Sequence, residues 1–396
     1  MVLGTSCGLA ILAKGPIGLL LPATILVGFL LWRRQGRIFW NRRSLLVFLA
    51  CWLAAAPWFI LESIHTRGWF AKGFFITNNV HRFFQPMEDH RGPWFYHIVA
   101  ILLGFAPWSV FFGPILWHSR SSLPWMQAKP ADSRTAPALL LLWCWIAGYF
   151  VFFSLAATKL PNYLLPLYPA LALVTAHYLQ SWRRRQMADR KPVYICLGIL
   201  ACAGLAVAAA MKFGNRLSLN LGDSVLVAHW AWVGLLPATG AILAALFVLL
   251  ERRNEAIVAL VATSLALIAV IAGIIGPGLE SWRAPRHLVT EAGAFQREHE
   301  IRLASYHYTR PSLAFYTQRE VHQLNSEDEV QAFLQYPLPV YLFIAEPDWE
   351  QLHFKMDVPA NIVARAWDIH RNCRALVISN RQPADQTSSR LFSCAK

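Results

Sequence analysis

The chain has 396 residues, enough for two or three ordinary soluble domains, yet 56% of it is apolar, only 15% is charged and the mean hydropathy is +0.39. That balance excludes a purely soluble globular protein. A net charge of +14 and a pI near 9.8 would fit a nucleic-acid partner if the cations formed one patch. Most Lys and Arg instead fall between long apolar runs, where they orient a membrane chain, and no nucleic-acid partner is expected.

Residues 1–13 read as the end of a truncated helix, because crossing a bilayer core takes about 20 residues. No basic start or small-residue cleavage site precedes Lys14-Gly15-Pro16, so no signal peptide is predicted. Eight complete spans follow, at 16–32, 44–62, 95–117, 137–156, 162–180, 193–211, 225–250 and 256–278. Loops 33–43, 118–136, 181–192 and 251–255 hold 15 Lys and Arg in 47 residues, whereas loops 63–94, 157–161 and 212–224 hold 7 in 50. The positive excess assigns the first set to the cytoplasm. Arg33-Arg34, Arg42-Arg43, Arg183-Arg184-Arg185 and Arg252-Arg253 act as anchors of that topology, with no chemistry assigned to them. The Lys14 region, the 63–94 loop, the 157–161 turn and the tail from about residue 280 then face the exterior.

Composition changes after Pro277. Charges return, and β-prone runs at 301–306, 340–345 and 375–379 alternate with helical candidates, one opened by the capping box Ser326-Glu327-Asp328-Glu329 and one by Pro347-Asp348. The expected fold is mainly α: a polytopic transmembrane helical bundle over residues 1–280 with a small extramembrane α/β domain over 281–396. Of seven Cys, five sit inside apolar runs, while Cys373 and Cys394 lie in the tail and can pair if it faces an oxidising compartment. No CxxC or His/Cys spacing predicts a metal site, and no cofactor is implied.

Chemistry in a membrane chain concentrates where ionisable groups meet the ends of spans. Lys14, in Ala13-Lys14-Gly15-Pro16, Arg82, in Asn78-Asn79-Val80-His81-Arg82-Phe83, and Lys159, in Thr158-Lys159-Leu160-Pro161-Asn162-Tyr163, fall on one face by charge counting. Each alone reads more simply as a side chain snorkelling to the headgroups. Converging, two ammonium groups and a guanidinium suit a phosphate-bearing lipid. Pro16, Pro161 and Pro166 start or interrupt spans; such breaks favour helix starts, and at membrane depth they line protein or water-filled cavities. Loop 63–94 joins an aromatic interfacial segment to Glu88, Asp89 and His90, the clustered acid/base candidates on this face outside the tail. The plainer reading of that cluster is an ordinary solvated turn.

Ala13-Lys14-Gly15-Pro16, Asn79-x-x-Arg82-Phe83, Gly92-Pro93-x-x-Tyr96 leading to Pro107-Trp108, and above all Lys159-Leu160-Pro161-Asn162-Tyr163-Leu164-Leu165-Pro166 look like the second half of bacterial polyprenyl-phosphate-sugar glycosyltransferases. Within that group the chain most resembles the 4-amino-4-deoxy-L-arabinose lipid A transferases and related protein-mannosyltransferase-like enzymes. The stretch from Ser305-Tyr306-His307 to Phe315-Tyr316 is similar to the opening of their periplasmic domain. The resemblance implies a multi-pass inner-membrane enzyme with a periplasmic C-terminal domain. It would move a sugar, with inversion, from a polyprenyl phosphate to a glycolipid or protein acceptor. Carried over residue by residue, Lys14, Arg82 and Tyr163 hold the carrier phosphate, Lys159 supports them and loop 63–94 covers the site. The family's catalytic carboxylate lies in a first periplasmic loop with no counterpart here, so the chain is expected to be an N-terminally truncated member. A transporter or flippase of lipid-linked saccharides is the alternative, although the spans lack midplane charges and internal repeats. A membrane scaffold whose tail binds a partner is a third reading.

Overall fold

In a bilayer every backbone amide must find its partner within the segment, so the apolar runs wind into helices. The computed structural model describes residues 1–85, 92–120, 135–187, 190–213, 229–280, 284–293, 300–308, 310–356, 358–368, 371 and 373–381. Its first helices are α1 (Val2–Lys14), α2 (Ile17–Trp32), α3 (Arg42–His65) and α4 (residues 69–84), the last wound as a π-helix over Lys72–His81. Then come α5 (Tyr96–Gly104), α6 (Phe112–Ser119), α7 (Thr135–Leu155), α8 (Tyr168–Arg183), α9 (Lys191–Phe213), α10 (Leu235–Leu249) and α11 (Arg253–Val270), which continues to residue 280. The protein is mainly helical and polytopic, with a small mixed sheet after its last span.

Among the described residues, five stretches are long and apolar enough to cross a membrane: Arg42–His65, Ala136–Leu155, Lys191–Phe213, Ala231–Leu249 and Arg253–Gly278. A sixth exists if Tyr96–Gly104 and Trp108–Ser119, bent by 112°, count as one. The sequence pattern predicts eight, and two fall short for local reasons. α2 has 16 residues, which at 1.5 Å each reach only about 24 Å of a core about 30 Å thick. Residues 162–180 do not form one α-helix, because Pro161, Pro166 and Pro169 withhold amide donors. Pro161–Leu167 is a 3-10 segment, and the α-helix begins only at Tyr168.

The chain divides into two compact units, Met1–Leu205 with Leu236–Ser264, and Ala206–Leu235 with Leu265–Lys396. In the first, Phe111, Tyr178, Trp182, Leu197, Ala244 and Leu260 form the buried centre. α1 lies hard against α3: a Cβ on Gly4 would come within 2.1 Å of the Val47 carbonyl oxygen, and one on Gly8 within 2.7 Å of that of Cys51. Small residues four apart let two helix backbones approach this closely.

The second unit carries the sheet, β1 (Arg302–Tyr306), β2 (His322–Leu324), β3 (Val340–Ala345), β4 (Asn361–Asp368) and β5 (Cys373–Ser379), in the order β2-β1-β3-β5-β4. β1 runs parallel to β2 and β3, and β5 antiparallel to β3 and β4. Alternation across β3 sends Phe343 to one face with Leu288 and Leu313, and Leu342 and Ile344 to the other with Val330, Leu334 and Trp349. Those helical partners sit on α12 (Ala284–Glu291), α13 (Pro311–Thr317), α14 (Glu327–Leu334) and α15 (Glu346–His353). Ser326 caps α14, its hydroxyl accepting from the Glu329 amide, while the Glu329 carboxylate accepts from the Asn325 amide at 2.7 Å. Asp368, buried at the end of β4, accepts from the Tyr308 hydroxyl at 2.8 Å and from Arg310 at 3.1 Å.

Candidate functional site

Three junctions tie separated segments of the first unit to one another. The first is the turn after α1. Gly15 has φ 73°, a left-handed value that other residues adopt at a cost. A Cβ there would lie 2.9 Å from the Phe74 ring and 3.5 Å from Asn79 Oδ1. The Asn79 side-chain amide donates to the Phe74 carbonyl at 2.7 Å. Phe74 packs against Phe70 at 5.3 Å and Phe59 at 5.4 Å between ring centres, which fixes the π-helical segment to α3. Lys14 ends α1 as an exposed side chain beside this junction.

The second junction joins α4 to the turn after α7. The Ala157 amide donates to the Phe83 carbonyl at 2.7 Å, the Thr158 hydroxyl to that of Gln85 at 3.3 Å, and the Phe83 ring packs on Phe152 at 5.2 Å. The third is built on Lys159, which is only 8% exposed. Its ammonium donates to the carbonyls of Ser154 at 2.8 Å and Ala156 at 2.9 Å, at the negative end of α7. Burial holds its pKa below the ordinary value. Gly92 lies against its aliphatic stem, 3.2 Å from Cδ measured to an ideal Cβ. With three N–H groups on an ammonium, two carbonyls leave one donor to spend.

Tyr163 is half-buried and stacks on Phe153 at 4.9 Å. A cleft of 770 Å³ opens beside it, lined by Tyr96, Val99 and Leu103 of α5 and by Pro161, Leu165 and Tyr168. The segments 14–16, 72–85, 92–97 and 154–163 contain no Asp or Glu, so their charged side chains favour an anion.

Among the expected site residues, Lys14, Lys159 and Tyr163 fall within these junctions. Arg82 opens the last turn of α4, but its side chain lies outside the described residues. Glu88, Asp89 and His90 also lie outside them, as does Cys394 and with it the Cys373–Cys394 pairing. Sequence reasoning passed over His97 as a site residue. It is fully buried beside Lys159, with the Leu160 backbone against its ring. Its signal was a histidine in an apolar run, one residue after the Gly92-Pro93-x-x-Tyr96 motif.

Helices that span, a broken pair of short helices and an appended α/β sheet define a multi-pass membrane protein of mainly helical class. No protein-family profile matches the chain. It is 28% identical over 278 residues to an undecaprenyl phosphate-alpha-4-amino-4-deoxy-L-arabinose arabinosyl transferase of Pseudomonas aeruginosa strain UCBPP-PA14, covering 60% of this chain and 46% of that protein. A transferase of the same name from Aeromonas hydrophila is 25% identical over 359 residues, 88% of this chain and 61% of its own. The crystal structure of ArnT from Cupriavidus metallidurans bound to undecaprenyl phosphate shares the fold, with a TM-score of 0.67 at 22% identity, over 97% of this chain and 69% of that one. The chain resembles the polyprenyl-phosphate-sugar glycosyltransferases in sequence and in fold. It spans about half the length of the first of these relatives.

Proposed function

We propose that this protein is an inner-membrane glycosyltransferase that moves a sugar from a polyprenyl phosphate to an acceptor on the periplasmic face. What supports the reading is that the Lys14-Gly15-Pro16 turn packs on Phe74 and Asn79 of α4, that the end of α4 is hydrogen-bonded to the turn carrying Lys159, and that an apolar cleft opens beside that turn. Lys14, Arg82 and Tyr163 bind the carrier phosphate, Lys159 braces the turn and offers its remaining donor, and the cleft along α5 takes the first isoprene units. The acceptor oxygen attacks the anomeric carbon from the face opposite the phosphate, the glycosidic C–O bond breaks, and the carrier phosphate leaves with the bonding pair. Cations stabilise the charge that develops on that leaving group. The acceptor proton passes to a base, for which Glu88, Asp89 and His90 are the candidates in this chain. The names of the relatives favour 4-amino-4-deoxy-L-arabinose as the sugar; the resemblance in sequence favours a lipid A-like glycolipid as the acceptor, with a protein acceptor as the second choice.

The full chain, reconstituted in lipid with a radiolabelled undecaprenyl-phosphate sugar, tests the proposal. Carrier-dependent transfer of label to lipid A or protein is expected. Movement of intact donor between leaflets without transfer would replace the enzyme with a flippase, and neither activity would leave a scaffold.

A further inference from the structure

A second cleft, of 530 Å³, lies within the first unit. One stripe of α8 forms its wall, with Ala172, Thr175, Ala176 and Leu179 followed by Gln180 and Arg183. Ile257 and Val261 of α11 face that stripe, and Phe105 and Trp108 close the far end. Phe105 stacks on Tyr168 at 6.0 Å and on Phe112 at 5.7 Å, so this ring floor stands between the cleft and the one beside Lys159. The Thr175 hydroxyl is spent on the Leu171 carbonyl at 2.8 Å, and the Trp108 indole donates to Ser264 at 3.3 Å. The interior of the groove is therefore apolar, and its charged group sits at one end.

The dimensions and the charge agree on an occupant. Residues 172 to 183 of a helix rise about 16 Å, close to half of a hydrocarbon core about 30 Å thick. Arg183 ends α8 on the side that the excess of Lys and Arg marks as cytoplasmic. Its neighbours are already engaged: Glu251 takes Arg185 at 3.2 Å and Arg190 at 2.6 Å, and Arg253 is buried against Trp182. Among the described residues no carboxylate lies within ion-pair reach of Arg183. We infer that this groove holds one acyl chain of an anionic phospholipid from the cytoplasmic leaflet, with its headgroup phosphate on Arg183. A prenyl phosphate anchored at Lys159 would bring only hydrocarbon to Arg183 and leave that guanidinium without an anion. Basic pockets between spans on this side suit anionic headgroups. The inference is independent of the sugar-transfer reading.

Native mass spectrometry of the full chain, purified in mild detergent and offered equal phosphatidylglycerol and phosphatidylcholine, tests it. The protein should retain one phosphatidylglycerol. Arg183→Gln should reduce the preference for phosphatidylglycerol by about fivefold, the worth of one basic residue at an anionic surface. Ala176→Phe should fill the groove and release the lipid. An unchanged preference in Arg183→Gln, retention in a folded Ala176→Phe, or displacement of the lipid by added undecaprenyl phosphate would each overturn the inference. Arg183→Gln alters an exposed side chain, so it remains informative if Ala176→Phe does not fold.

Discussion

Lys159 is part of the frame as well as a proposed site residue. Its ammonium closes α7 through two carbonyls while lying at the junction of Gly92, His97 and Leu160. Replacing Lys14, Arg82 or Lys159 by Ala should weaken undecaprenyl-phosphate binding by about 1–3 kcal/mol each, read by titration of the reconstituted protein. Lys159→Ala should also lower thermal stability, because it frees two carbonyls, whereas exposed Lys14→Ala should not. Tyr308 gives a separate prediction in the sheet-bearing unit. Burial first, and then the Asp368 charge, pushes its hydroxyl above the ordinary value of 10. A folded pKa raised above the unfolded one contributes stability that is complete below pH 10 and is lost as pH rises beyond it. Unfolding at stepped alkaline pH should show that loss in the wild type and not in Tyr308→Phe, which should cost about 1–3 kcal/mol at neutral pH. At this scale the sequence revealed which residues carry charge near span ends. It did not reveal that Lys159 points back into its own helix end, because that depends on the Pro161 break and on the approach of Gly92. His97 stayed hidden because a lone histidine among Ile, Val and Leu has no spacing that distinguishes it from a core residue.

Among the elements, α1 and α3 are joined through missing side chains. Gly8→Leu should force the two backbones apart and cost about 1–3 kcal/mol by overpacking, measured as a drop in melting temperature in detergent, whereas Gly28→Leu, where an added Cβ meets nothing within 4 Å, should not. Periodicity and hydropathy located the long helices, but Gly4-x-x-x-Gly8 went unread because a 13-residue segment looked like a remnant rather than a packing partner. In the tail, β3 and β5 were legible as runs of buried apolar residues. β4 was not, since Asn361–Asp368 interleaves Arg365 and Asp368 and shifts register between Ile362 and Ala364. β2, three residues long, carries too little pattern for any sequence signal. The 3-10 turn at Pro161–Leu167 was foreshadowed by its prolines, although counting apolar residues alone made it half of a span.

For the whole molecule, orientation is the property most exposed to experiment. Positive loops predict that a membrane-impermeant maleimide reaches Ser326→Cys from the periplasm of intact spheroplasts and reaches Arg184→Cys only after the membrane is opened. Labelling of both, or the reverse order, would overturn the assignment of sides. Sidedness rests on the Lys and Arg counts alone, where charge bias is additive over loops. The shape of each crossing was not readable, because a bend such as the 112° one between α5 and α6 depends on neighbours as well as on Pro107.

The close approach of Gly15 to Phe74 also limits what α2 can do. Residues in direct contact lie on the same surface of the bilayer, so the chain must pierce it an even number of times between them. α3 makes one passage, and the short α2 must make the other. A rod of about 24 Å cannot reach across about 30 Å of hydrocarbon unless the lipid yields. Local thinning of the bilayer around α2 is therefore the expected accommodation, and it would bring the Lys14 turn nearer to the opposite leaflet.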